Sequence, residues 1–384
     1  MKKIVALLVV FLLFGCNKQT DINSNLKKEK TFLGTIKDSD NNMVLLLNTE
    51  VYLTTVDPNK KDKLIKQATE EIKKYHILLD SHHYYTNNKK IVNNITVLND
   101  SIGKGPIQVD PIIIDALSEA LKLTKLTKGY FNPTLGLLSS LYNNKYLPYD
   151  STNIDPKEEE IESAVKGIIN YDEIENYILL DKDNSTVELK ENEYPYSLDI
   201  SAFSKGYIID KVYNKLKENN TSFLLNAGAS TIATYSSENE KISWTIGVSN
   251  PNNPSENLLL FNLDNGAIST SGDYENYYYL EDGTRRHHIL NPYTGYSENY
   301  YRSNTLISSD AGIIDALSTA LFNIKEEKEF KEIIHTIENH YTQDISYLMI
   351  TDSFILYSDK SFSDRIIENT IPNNIVYDFV IIDN

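Results

Sequence analysis

Residues 267–295, A-I-S-T-S-G-D-Y-E-N-Y-Y-Y-L-E-D-G-T-R-R-H-H-I-L-N-P-Y-T-G, constrain this chain more than any other stretch. Ser269, Thr270 and Ser271 lead into Gly272, and an aromatic run follows from Tyr274 to Tyr279. Asp282-Gly283 is the kind of dipeptide that closes a hairpin. The return strand carries Arg285, Arg286, His287 and His288, and ends in a second turn at Asn291-Pro292-Tyr293-Thr294-Gly295. The spacing predicts one hairpin along which hydroxyls, the Asp273 carboxylate, two guanidiniums and two imidazoles are distributed. Most hairpins spend their polar side chains on solvent. This one concentrates donors and a proton carrier beside glycines that let a ligand approach the backbone.

The rest of the chain supplies mixed elements. Strands are predicted at Met43 to Leu47 and Val51 to Val56, then a helix capped by Asp57 with Pro58 in its first turn. A second helix opens at Asp110-Pro111, and a short acidic one starts at Asp155-Pro156 and ends at Gly167. His82, His83, Tyr84 and Tyr85 sit in a loop where polar residues are common without function. There is no regular βαβ alternation, and no G-x-G-x-x-G follows a strand. The fold class is therefore α+β rather than a doubly wound dinucleotide-binding sheet. A net charge of −17 over 384 residues argues against nucleic acid as a partner. It also means that an anionic ligand needs a local cation.

Lys2 and Lys3 precede an apolar run from Ile4 to Phe14, too short to span a bilayer as a helix. Residues 1–16 thus read as a signal peptide, ending at Leu13-Phe14-Gly15-Cys16 in a pattern like a lipobox. Cys16 is the only cysteine, which excludes an internal disulfide and fits lipidation. Residues 17–32 are expected to be a polar tether, and 33–384 the folded body. The expected location is exported and lipid-anchored, on the periplasmic face of an inner membrane or on a cell surface.

The T-S-G-D-Y and D-G-x-x-x-H-H-I-x-N-P-x-T-G segments resemble the signature of the ApbE-type FAD:protein FMN transferases. Further marks follow in the same order. Leu47-Asn48-Thr49 resembles a Met-Gly-Thr step with only the threonine kept. Leu98-Asn99 resembles an L/F-N step near the flavin. Gly129 to Gly136 is similar to G-x-F-D-P-T-V-G, with Asn132 in place of the aspartate. Leu198 to Asp210 resembles D-L/I-G-x-x-A-K-G-Y-x-x-D, with Ser201 and Ser204 at positions where glycine and alanine are common. Phe223 to Ser230 is similar to L-V-N-x-G-G-D/N, with Ala229 for the second glycine. Ala311 to Phe322 resembles A-x-x-A-D-A-L-S/A-T-A-L/F.

The resemblance implies antiparallel sheets flanked by helices, T-fold-like lobes with a flavin cleft between them. It implies Mg²⁺-dependent transfer of the FMN half of FAD to a Thr or Ser hydroxyl of an acceptor protein, an FMN-binding redox subunit, with release of AMP. By motif position the catalytic residues are His288, the proton carrier, and Asp199, which with Lys205 would fix the flavin and phosphates. By the same resemblance Leu47, Thr49, Tyr130, Phe131, Asn132, Asp199, Lys205, Thr270, His288, Ile289 and Leu290 touch FAD. Mg²⁺ is assigned to Asp315, Thr319 and the carbonyls of Ala202 and Ser318. Read without the family, Asp315 and Thr319 lie four apart on one helix face, which favours a hydrogen-bonded core pair over a hard cation; the resemblance turns the preference to the cation. Two other functions fit the same motifs: an FAD pyrophosphatase giving FMN and AMP, and a flavin-binding lipoprotein without chemistry.

Overall fold

The computed structural model describes residues 28–143, 145, 154–369 and 378–382. Its backbone is a nine-stranded sheet, in the order Glu29–Phe32, Val51–Thr55, Phe223–Ala227, Thr231–Tyr235, Gly266–Gly272, Tyr301–Ser308, Ser346–Thr351, Ile355–Asp359 and Asp378–Ile382. All neighbours pair antiparallel except the last two, which run parallel. Strand alternation divides the apolar residues between two faces. Ala267, Leu306, Tyr347 and Met349 join the core under the helices. Ile268, Ile307, Leu348 and Ile350 join a second core against the three-stranded sheet of Trp244–Asn250, Asn253–Leu263 and Ile366–Asn369. The α+β class expected from the sequence is the one observed.

Helices Ser201–Lys217 and Ala311–Phe322 lie on the first face and cross in close contact. The crossing depends on glycine. A Cβ at Gly206 would meet the Ala311 carbonyl oxygen at 2.2 Å and Asp315 Cβ at 2.5 Å. Ser269 and Ser271, on the same face as Ala267, present only small side chains to the Ala311–Phe322 helix. Asp310 caps that helix by accepting from Ile313 N–H at 3.0 Å.

Three boundaries differ from expectation. Among the described residues the first strand is Glu29–Phe32, ahead of the expected start at Leu33; it pairs with Tyr52 to Thr55, and Glu29 is tied to Lys61 at 2.7 Å. The last residues of the expected 17–32 tether are therefore an edge strand. The first long helix is Lys61–Leu79. Asp57 caps a turn instead, accepting from Asn59 N–H at 2.9 Å. The acidic helix is Glu158–Gly167, since Asp155 is committed to Arg286 at 2.9 Å. The signal peptide, Cys16 and the first part of the tether lie outside the described residues. Among those described, no helix is long and apolar enough to cross a membrane.

Candidate active site

The first turn of Ser201–Lys217, the middle of Ala311–Phe322 and the end of strand Gly266–Gly272 wall a cleft of about 390 Å³. At its floor is Asp315, only 5% exposed. Its Oδ2 accepts from Gly206 N–H at 2.8 Å, and its Oδ1 from Ser269 Oγ at 2.8 Å and Thr231 Oγ1 at 3.1 Å. A buried carboxylate needs such donors. The α-helical partner of the Gly206 amide would be the Ala202 carbonyl. Ala202 itself lines the cleft beside that amide. Lys205 Nζ donates to Ser230 Oγ at 2.7 Å and lies 3.8 Å from Asp315 Oδ1. Lys205 is the fifth helical residue, just past the first turn.

Asp199 stands at the mouth of the same helix. Its backbone is set by Asn99, which accepts from Leu198 N–H at 2.7 Å and donates to the Leu198 carbonyl at 2.9 Å. The Asp199 carboxylate accepts from Ser201 N–H at 2.9 Å, Ser139 Oγ at 3.0 Å and Ser81 Oγ at 3.3 Å. A helix start is a site for anions, and the carboxylate already occupies part of it.

The two histidines of the hairpin have opposite environments. His287 is fully buried, donates from Nε2 to the Glu298 carbonyl at 2.8 Å and accepts from Ile289 N–H on Nδ1 at 3.3 Å. Its ring meets Phe322 edge-on at 5.3 Å. Burial pushes its pKa down to about 3, so it stays neutral. His288 is exposed and lines the cleft, and its backbone N–H donates to the Asn276 carbonyl at 3.0 Å. The surrounding cleft walls desolvate the ring and Lys205 adds like charge, which together outweigh the Asn276 carbonyl and lower its pKa.

The hairpin itself is confirmed as Tyr277–Tyr279 paired with Arg285–His287, a small sheet of its own. Its guanidiniums are bracing groups. Arg285 pairs with buried Asp273 at 2.8 Å, which Arg302 also holds at 2.6 Å. Arg286 grips Asp155 through two nitrogens, at 2.9 and 3.0 Å. Of the polar residues on that stretch, Thr270, Ser271, Glu275, Asn276 and His288 reach the cleft. Desolvation raises the Glu275 pKa, opposed by Lys205.

Leu47, Thr49, Tyr130, Phe131, Asn132, Asp199, Ala202, Lys205, Thr270, His288, Ile289, Leu290, Asp315 and Thr319 all line this one cleft. The Asn132 side chain points inward, donating to the Ile169 carbonyl at 2.8 Å and accepting from Thr134 Oγ1 at 2.7 Å. It presents backbone to the cleft. Ser318 is not brought there: its carbonyl accepts from Asn304 at 3.2 Å and its hydroxyl from or to Ser271 at 2.9 Å. Sequence reasoning passed over His76, Asp80, Ser81 and Ser139, which belong to no quoted motif, and gave Ser230, the end of the Phe223 to Ser230 segment, no role.

Among the described residues no group of three or more His, Cys, Asp or Glu side chains could hold a metal. A cation here would be met by one carboxylate, the Thr319 hydroxyl and carbonyl oxygen. That hard, sparse donor set fits Mg²⁺, which keeps several waters, and does not fit zinc or copper.

Residues 47–342 match the sequence model of the ApbE family. The chain belongs to that family. A curated relative from Haemophilus influenzae, an FAD:protein FMN transferase, is 27% identical over 228 residues, which is 58% of this chain and 63% of the relative. One from Treponema pallidum with the same name is 26% identical over 247 residues, 61% of this chain and 66% of its own length. The chain thus spans just under two thirds of these relatives. The crystal structure of the ApbE protein of Thermotoga maritima shares the fold, with a TM-score of 0.69 and 24% identity over 88% of this chain and all of the other.

Proposed function

We propose that this ApbE-family protein is an FAD:protein FMN transferase. A hydroxyl of an acceptor protein attacks the FMN-side phosphorus of FAD, the bridging P–O bond breaks, and AMP leaves. One phosphoester forms as one phosphoanhydride is lost. The observation that carries this reading is convergence. A helix start, a lysine, an accessible neutral imidazole and a carboxylate–hydroxyl pair, drawn from distant parts of the chain, face one cleft.

Each residue then has a task. The amides at the start of Ser201–Lys217 and the Lys205 ammonium bind the diphosphate. Asp199, fixed by Asn99, shapes that helix mouth. His288 takes the proton of the acceptor hydroxyl. Its lowered pKa keeps it unprotonated near neutral pH, and a bound diphosphate would offset Lys205 and raise its basicity. His287 locks the hairpin so that the neighbouring ring stays aimed at the cleft. Mg²⁺, which Asp315, Thr319 and the Ala202 carbonyl would hold, supplies charge neutralisation for the diphosphate. The net charge of −17 makes such compensation necessary. In this reading the acceptor is an FMN-binding redox protein, and Cys16 carries the lipid that anchors the exported enzyme.

The test is incubation with FAD, Mg²⁺ and an acceptor protein, read by in-gel flavin fluorescence and AMP release. A fluorescent acceptor supports transfer. Free FMN and AMP identify a pyrophosphatase. Neither product identifies a binding protein, which the intact His288 and Asp315–Thr319 pair argue against.

A further inference from the structure

We propose that His76 is a positioning residue for FAD, holding the Leu47–Asn48 turn in the shape that forms one wall of the cleft. This rests on the flavin reading of the site. Leu47 and Asn48 have φ of 58° and 55°, two successive non-glycine residues in the left-handed region. Asparagine tolerates that region, but leucine does so only when its surroundings hold it there. The Leu47 N–H is held by His76 Nδ1 at 3.3 Å.

The protons of this contact are settled by what stands behind it. Tyr85 Oη lies 2.9 Å from His76 Nε2 and 2.8 Å from Asp80 Oδ2. A carboxylate only accepts, so Tyr85 donates to Asp80 and its oxygen accepts from His76 Nε2–H. Nδ1 is then bare and can only accept, which is what the Leu47 amide needs. His76, Tyr85 and Asp80 are at most 5% exposed, so each role is enforced by the absence of water. Burial also keeps His76 neutral by lowering its pKa. The far oxygen of Asp80 accepts from the His82 N–H at 2.7 Å, and His82 also lines the cleft. One buried relay therefore ties two segments of the wall; of the His-His-Tyr-Tyr run it takes in Tyr85, the His82 backbone and His83, whose Nδ1 lies 2.9 Å from Asp80 Oδ2, while Tyr84 bonds Asp100 instead.

The test compares wild type, His76→Leu and His76→Asn. In Asn the side-chain oxygen stands where Nδ1 did, so the acceptor is kept; in Leu it is lost at similar volume. His76→Leu is expected to raise KM and Kd for FAD roughly tenfold, the worth of about one hydrogen bond and its orientation, with kcat changed less than about twofold. His76→Asn should restore FAD affinity. Tyr85→Phe, which frees the imidazole to adopt the other tautomer without touching the cleft, should also weaken FAD binding. Wild-type FAD affinity in both His76→Leu and Tyr85→Phe overturns the proposal. The ¹⁵N spectrum of the ligand-free protein decides the tautomer separately: Nδ1 should resonate as an unprotonated nitrogen, and a protonated Nδ1 overturns the proposal. If wild type does not bind FAD at all, the flavin reading fails, and the role assigned to His76 goes with it.

Discussion

Replacing Asp315 by Asn separates its two roles, which the structure superimposes. The carboxylate is a buried acceptor for Gly206 N–H, Ser269 and Thr231, and it is also the one carboxylate offered to a cation. The Gly206 amide cannot turn, so the new amide oxygen should face it. The amide nitrogen then faces Ser269 and Thr231, whose hydroxyls can rotate to accept. Lys205 loses a partner 3.8 Å away, but it is partly solvated and keeps Ser230. The expected loss in ligand-free stability is about 1–2 kcal/mol, one or two hydrogen bonds downgraded from charged to neutral. Asp315→Ala should cost about 3–5 kcal/mol, because three buried donors lose their acceptor together. The assay is urea unfolding in EDTA, then with Mg²⁺, then with Mg²⁺ and FAD. In wild type a ligand at a hundredfold excess over its Kd adds about 2.7 kcal/mol. Asp315→Asn should sit about 1–2 kcal/mol below wild type in EDTA and gain nothing from Mg²⁺. A variant that keeps the full Mg²⁺-dependent gain, or that transfers FMN at the wild-type rate, refutes the assignment.

The hydroxyl pair gives a sharper version: Thr319→Ala should lose Mg²⁺ affinity, whereas Ser318→Ala should leave it unchanged, as isothermal titration would show. For His288 the neutral form is the active one. Its pKa lies below the usual value of about 6.5 in the free protein, so kcat/KM should stay high as pH falls through that value. The acid limb of kcat should lie at higher pH, because bound diphosphate raises the pKa, and a kcat limb at or below that of kcat/KM would count against this base. His287 has a folded pKa of about 3 against about 6.5 unfolded, so the unfolded chain binds the extra proton between those values. Stability should fall as pH drops below about 6.5, by up to roughly 1.4 kcal/mol per unit, and His287→Phe should flatten that slope in denaturation curves. Gly206→Ala should destabilise by several times a surface substitution, about 1–3 kcal/mol or more, since its Cβ meets backbone at 2.2 Å; unchanged unfolding would refute the tight helix crossing.

What could be read in advance was whatever a local rule governs. Asp110 with Pro111 opens a helix, Asp282-Gly283 turns a hairpin, and the alternation of Ala267, Ile268 and Ser269 assigns strand faces; each rests on a few adjacent residues. The cleft was legible for a different reason. Small residues where a backbone must come close, such as Gly206, Gly228 and Ser269, leave a trace in sequence even when their partner is far away. Boundaries failed where a distant side chain outbid the local signal. Asp155-Pro156 has the form of a helix start, yet Arg286, 131 positions later, holds the aspartate in another role. Lone acceptors were invisible altogether. Nothing next to His76 announces that its Nδ1 will meet the amide of Leu47, because the contact depends on how helix Lys61–Leu79 packs and on a tautomer imposed from behind by Tyr85. The same distinction explains the paired histidines. His287 and His288 are indistinguishable by composition, and only the register of a three-residue strand sends one ring into the core and the other to the cleft. A one-residue slip in that hairpin would exchange them, burying the imidazole proposed to take the proton. The ion pairs of Arg285 and Arg286 on the return strand therefore bear on catalysis without touching substrate, since they fix the register on which the accessible imidazole depends.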